Sequence, residues 1–112
     1  MPGGWMAQKP GDKQYMDIAW EAVGKVNEDA KSNGLSNSAL IPKKVLSAES
    51  QVVAGIKYEV LVEYVDSTCS IDTIPKKTTC REKSGNGKTY EYIVQKYERA
   101  WDNVNEITVS RP

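Results

Sequence analysis

The chain has 112 residues, of which 39% are hydrophobic, and its fifteen basic and fifteen acidic side chains cancel to a formal net charge of zero. This length reads as one domain, residues 1–112, able to bury about 60–70% of its unfolded surface. A cancelled charge provides no general field toward nucleic acid or an anionic membrane, and no apolar run approaches the length of a membrane span.

Histidine is absent. Nucleophilic, acid–base and zinc chemistry that relies on imidazole is therefore excluded, and two cysteines cannot fill a four-ligand zinc site by themselves. Paired carboxylates are the remaining route to hydrolysis, but Glu59 and Glu63 alternate with Lys57 on what reads as a solvated face. The expectation is a protein that is not an enzyme and holds no metal or cofactor.

In chain order, Met1-Pro2-Gly3-Gly4-Trp5 is a flexible start carrying one large aromatic. It is neither charged nor followed by an apolar stretch, so no signal peptide is read there and Met1 is taken as an expression start on a processed chain. A helix follows. Asp12 is its expected N-cap, after the breaker pair Pro10-Gly11. Tyr15, Ile18, Ala19, Ala22, Val23, Val26 and Ala30 recur at three- and four-residue steps as a core-facing stripe, widened by Met16 and Trp20. Gly34 stands where a helix-terminating glycine belongs, and Gly24 is read as permitting a strand to approach closely.

Ser32-Asn33-Gly34 and Ser36-Asn37-Ser38 supply turn chemistry behind the helix. Ala39 to Ser50 reads as a strand, with Pro42 at an edge or bulge. Gln51-Val52-Val53-Ala54-Gly55 is a small, apolar hairpin loop ending in glycine. From Ile56 to Val65 the alternation is regular, with Ile56, Tyr58, Val60, Val62 and Tyr64 on one face.

Cys69 and Cys80 could be buried free thiols, but both sit in polar, turn-rich sequence around Pro75-Lys76-Lys77. That setting favours a disulfide closing the loop, and with it an oxidising compartment. Beyond the turn at Ser84 to Gly87, Lys88 to Glu98 is a further strand. Ala100-Trp101 lies in the next hairpin loop, and Ile107 and Val109 mark a last strand. Trp101 either folds back on the sheet or projects from the loop.

Gln-Val-Val-Ala-Gly resembles the Gln-x-Val-x-Gly signature of the cystatins, protein inhibitors of papain-like cysteine proteases. The order of glycine arm, helix, strand, pentapeptide hairpin, cysteine loop, strand and Trp hairpin resembles that family over nearly the whole chain. The resemblance implies an α+β fold, with one long helix cradled by a four- to five-stranded antiparallel sheet. It implies that Gly3, Gly4, Gln51, Val52, Val53, Ala54, Gly55, Ala100 and Trp101 form a wedge that covers a protease active-site cleft. Cathepsins and other papain-like enzymes are then the partners. Ala100 departs from the family's Pro-Trp pair. Cys69 and Cys80 match the first disulfide loop of secreted cystatins, and no counterpart of their second disulfide is present. Asn33 matches best the tripeptide by which some cystatins bind legumain, though the following aspartate is missing. The expected state is a secreted monomer, with a domain-swapped dimer left open. The alternative is a non-inhibitory module of the same fold.

Overall fold

The structure is a computed structural model that describes residues 4–84 and 88–112. Gly3, the expected arm glycine, lies outside the described residues. Five strands form one antiparallel sheet in sequence order: β1 (Met6–Gln8), β2 (Ser38–Val53), β3 (Gly55–Ser70), β4 (Thr89–Arg99) and β5 (Val104–Ser110). The helix lies across one face. It divides into α1 (Lys13–Glu21) and α2 (Val23–Ser32), with Ala22 between them at φ −87° and ψ −3°. Hydrogen bonds run through that point, from Ala22 N to Ile18 O and from Val26 N to Ala22 O, so the expected single helix is present with one local irregularity.

The helix ends as its sequence requires. Gly34 has φ +62°, Gly34 N donates to Lys31 O at 3.2 Å and Leu35 N donates to Ala30 O at 2.9 Å. This pair of bonds satisfies two of the last helical carbonyls, and glycine reaches the left-handed conformation without a Cβ penalty. Gly24 does not do what its sequence position suggested. It is exposed, and a Cβ built on it would meet nothing within 4 Å.

All seven residues of the helical stripe are buried, against Val45, Ala48, Val60, Val62, Tyr64, Tyr92 and Val94 of the sheet. The helix contributes mostly alanine and valine, while large tyrosines fill the remaining space. With no phenylalanine in the chain, the buried rings carry hydroxyls that need partners. Tyr64 Oη donates to Ala19 O at 2.8 Å, and Tyr92 Oη donates to Asp29 Oδ2 at 2.7 Å. The two rings meet edge to face, with centroids 5.7 Å apart.

Among the described residues β2 is covered by β1 only at Ala48, Glu49 and Ser50, and no described strand lies beside its earlier backbone on that side. At Leu40 a helix side chain takes the place of one. Asn27 Nδ2 donates to Leu40 O at 3.0 Å and Leu40 N donates to Asn27 Oδ1 at 2.6 Å. Pro42 sits beside a register shift in the same uncovered stretch, as its missing N–H demands.

The alternation of β3 breaks after Tyr64, where Val65, Asp66 and Ser67 are all buried. The disulfide loop is the reason. Cys69 and Cys80 are joined, Thr68 N bonds to Arg81 O and Lys83 N bonds to Asp66 O, which folds the loop over the second face of the strand. Ile41, Val65 and Cys80 form a small second core there, with Trp20 packed on it and Lys77 Nζ 5.6 Å from the Trp20 ring.

Candidate functional site

The strand register brings three segments to one end of the sheet. Ile56 pairs with Glu98 and Arg99 pairs with Val104, so the β2–β3 and β4–β5 turns lie side by side. Met6 pairs with Ser50, which carries Gly4 and Trp5 alongside Gln51 and Val52 toward the same end. Four large apolar side chains are exposed there: Trp5 at 41%, Met6 at 64%, Val52 at 62% and Trp101 at 69%. Trp101 therefore projects from its loop rather than folding onto the sheet.

The pentapeptide is less of a loop than its sequence indicated. Gln51 pairs with Lys57, Val52 with Ile56 and Val53 with Gly55, so Ala54 alone lies outside the strands. The hairpin apex is thus Ala54, and Val52 is the larger exposed surface. This extreme tightness depends on Gly55, which has φ +108°. A Cβ there would approach Glu98 O to 2.5 Å and Tyr97 Cε1 to 3.1 Å. Gly4 differs: a Cβ on it would meet nothing within 4 Å, so the fold places no demand for glycine at that position.

The second turn is a short 3₁₀ helix, Ala100–Asp102, followed by Asn103 at φ +53°. Asn103 N donates to Ala100 O at 3.3 Å, and Arg99 Nε lies 2.8 Å from Asp102 Oδ2. That N–H does not point along the contact, so the pair is a charge contact rather than an aligned hydrogen bond. These features order a loop that lacks proline. Behind the edge, Lys96 Nζ lies 2.7 Å from Glu21 and 3.5 Å from Glu98. Burial works against the Lys96 charge, but the two carboxylates outweigh it and raise its pKa above the usual lysine value.

Sequence periodicity did not mark β1, which has only three residues, nor Trp5 and Met6 as exposed members of the edge. Their only signal was position, directly after Gly4. Asn33 lies elsewhere, at the C-terminal end of α2, where its Nδ2 donates to Asp29 O at 2.8 Å and to Asp29 Oδ1 at 3.1 Å. Among the described residues no group of His, Cys, Asp and Glu is arranged to hold a metal ion. What the edge offers is apolar surface on tightly turned backbone, a means of binding rather than of bond cleavage.

A helix packed on a five-stranded antiparallel meander, with its two turns and its N-terminal segment at one end, defines the cystatin fold. The crystal structure of a salivary cystatin from the soft tick Ornithodoros moubata superimposes with a TM-score of 0.77 at 22% identity, covering 100% of this chain and 99% of that one. Residues 3–101 match the model of the cystatin domain, and the chain belongs to the cystatin family. Among its relatives, onchocystatin of Onchocerca volvulus is 28% identical over 109 residues, covering 96% of this chain. Cystatin cpi-1 of Caenorhabditis elegans is 33% identical over 103 residues, covering 88% of this chain and 70% of that protein. The chain spans 64% of the length of onchocystatin.

Proposed function

We propose that this chain is a reversible, competitive inhibitor of papain-like cysteine proteases of the cathepsin type. It blocks the active-site cleft with its N-terminal segment and two hairpin turns. The observation that carries this reading is the exposure of Trp5, Met6, Val52 and Trp101 on three segments that the strand register brings to one end of the sheet. Family membership agrees with it, cystatins being protease inhibitors rather than enzymes. Gln51 and Ala100 belong to the same segments, and Gly3 is included as the residue before Gly4.

The edge suits a narrow groove for two physical reasons. Val52, Val53 and Ala54 are small enough to enter it, and a hairpin already paired at Val53 and Gly55 loses little freedom on docking. It also resists cleavage. A protease attacks an extended backbone in a defined geometry, and a turn closed on a single residue cannot extend without breaking its strand pairs. The interface expected is the standard one of about 1,600 Å² in total.

The reading is of one inhibitory domain, residues 1–112, working as a secreted monomer. The Cys69–Cys80 disulfide supports an oxidising compartment. Nothing observed at Asn33 favours adding legumain to the targets, since its amide is folded back onto Asp29. The test is a steady-state inhibition assay against papain and two lysosomal cathepsins. Competitive inhibition with recovery of activity on dilution is expected. Absence of inhibition of all three enzymes overturns the proposal in favour of a non-inhibitory module of the same fold.

A further inference from the structure

The two hairpin turns are not independent projections. Tyr97, on β4, donates its hydroxyl to the carbonyl of Ala54, the one residue at the apex of the first turn. Arg99, two residues further along the same strand, donates from Nη1 to that hydroxyl at 3.5 Å, and its guanidinium carbon lies 6.0 Å from the centre of the Tyr97 ring. The other side of the same guanidinium faces Asp102 at 2.8 Å, in the second turn and adjacent to Trp101. A continuous polar chain thus runs Ala54, Tyr97, Arg99, Asp102 across the backs of both turns. Gly55 permits it, because any side chain there would strike Glu98 O and the Tyr97 ring.

We propose that Tyr97 and Arg99 are positioning residues that fasten the two hairpin turns into one docking edge. Neither is among the exposed apolar side chains of that edge, and both are half-buried. They act through Ala54 and Asp102, fixing the spacing between Val52 and Trp101 before a protease is met. Arg99 has a particular role in this chain. With alanine at position 100, nothing in the ring geometry of a proline restrains the second turn, and the Arg99–Asp102 contact supplies that restraint.

This inference deepens the inhibitory reading and rests on it for its kinetic consequence, but the fastening itself can be observed without a protease. In the free protein, ¹⁵N relaxation and amide hydrogen exchange would be compared for the unmodified chain, Tyr97→Phe and Arg99→Lys. Tyr97→Phe keeps the ring against Gly55 and removes only the hydroxyl. Faster exchange and lower order are expected at Ala54 and Gly55, and also at Asn103, in the second turn. Arg99→Lys keeps the charge near Asp102 but cannot reach both partners, so it should loosen the first turn while partly preserving the second.

Against papain, Tyr97→Phe should speed dissociation by about three- to tenfold with little change in association. Its effect and that of Trp101→Ala should combine to less than their product, because the first change already frees what the second removes. Unchanged order at both turns in Tyr97→Phe overturns the proposal, and so do strictly multiplicative effects. If the unmodified chain does not inhibit papain, the inhibitory reading fails. The fastening then stands or falls on the Asn103 response alone.

Discussion

A Cβ on Gly55 would stand 2.5 Å from the carbonyl oxygen of Glu98 in the neighbouring strand. No real Cβ tolerates that distance, and the obstacle is backbone rather than a flexible side chain. The φ of +108° adds a second penalty for any L-residue. The glycine that ends the pentapeptide is therefore required by the fold.

Gly55→Ala should destabilise the protein by about 1–3 kcal/mol through this backbone conflict and should open the first turn. Inhibition of papain should weaken sharply in the folded protein. Gly4→Ala is the control: with nothing within 4 Å of the new Cβ, the melting temperature should not change. Any loss of inhibition from Gly4→Ala then reports a clash with the protease. Equal melting temperatures for Gly55→Ala and the unmodified protein would refute the structural role.

Val52 and Trp101 are the large exposed surfaces of the two turns, at 62% and 69%. Val52→Asp should cost about 2 kcal/mol or more of binding, since it places an unpaired carboxylate in the groove. Trp101→Ala should cost about 1–3 kcal/mol, mainly by faster dissociation. Both variants should melt within about 0.5 kcal/mol of the parent in stability. Calorimetry alongside inhibition kinetics checks this, and a large stability loss in Trp101→Ala would show that the indole belongs to the core.

Asn27 is buried and bonded to both backbone groups of Leu40. Asn27→Leu fills the same volume but leaves a buried N–H and C=O without partners, which should cost about 2–3 kcal/mol. Denaturant unfolding of the variant measures this. A loss below about 0.5 kcal/mol would show that water or a shift of β2 takes over the amide's bonds. Papain inhibition by the folded fraction should be unchanged, because Leu40 lies far along β2 from the turns.

Alkaline pH should unfold the protein through its buried tyrosines. Burial raises the pKa of Tyr64, with the neighbouring Tyr92 adding to it, and burial together with the Asp29 hydrogen bond raises that of Tyr92. A proton held in the folded state but lost from the unfolded one above about pH 10 makes stability fall as pH rises. Lys96, also raised, works in the same direction. Full stability is thus expected below about pH 10, declining above it. Tyrosinate absorbance should show Tyr64 and Tyr92 ionising only on unfolding. Ionisation of Tyr64 and Tyr92 while the protein remains folded would contradict this.

By itself the sequence determined the helix, its buried stripe and its stop at Gly34, because each depends on local geometry that a periodic pattern or a glycine reports directly. It also determined which face of β3 is buried, at Val60, Val62 and Tyr64, and the polar setting of its cysteines favoured their disulfide. Four matters were decided only by the tertiary structure. The run of buried residues after Tyr64 depends on a loop that returns from Cys80 to cover the strand's other face. β1 is three residues whose pairing comes entirely from Ala48 to Ser50. The necessity of Gly55 comes from Glu98, and the lack of any necessity at Gly24 comes from empty space above it. The link between the two turns joins Ala54 to Asp102 across nearly half the chain, through side chains of a third segment. Periodicity records which way a side chain faces along its own element. It holds no information on which distant backbone will stand beside it, and that is where the shape of this edge is set.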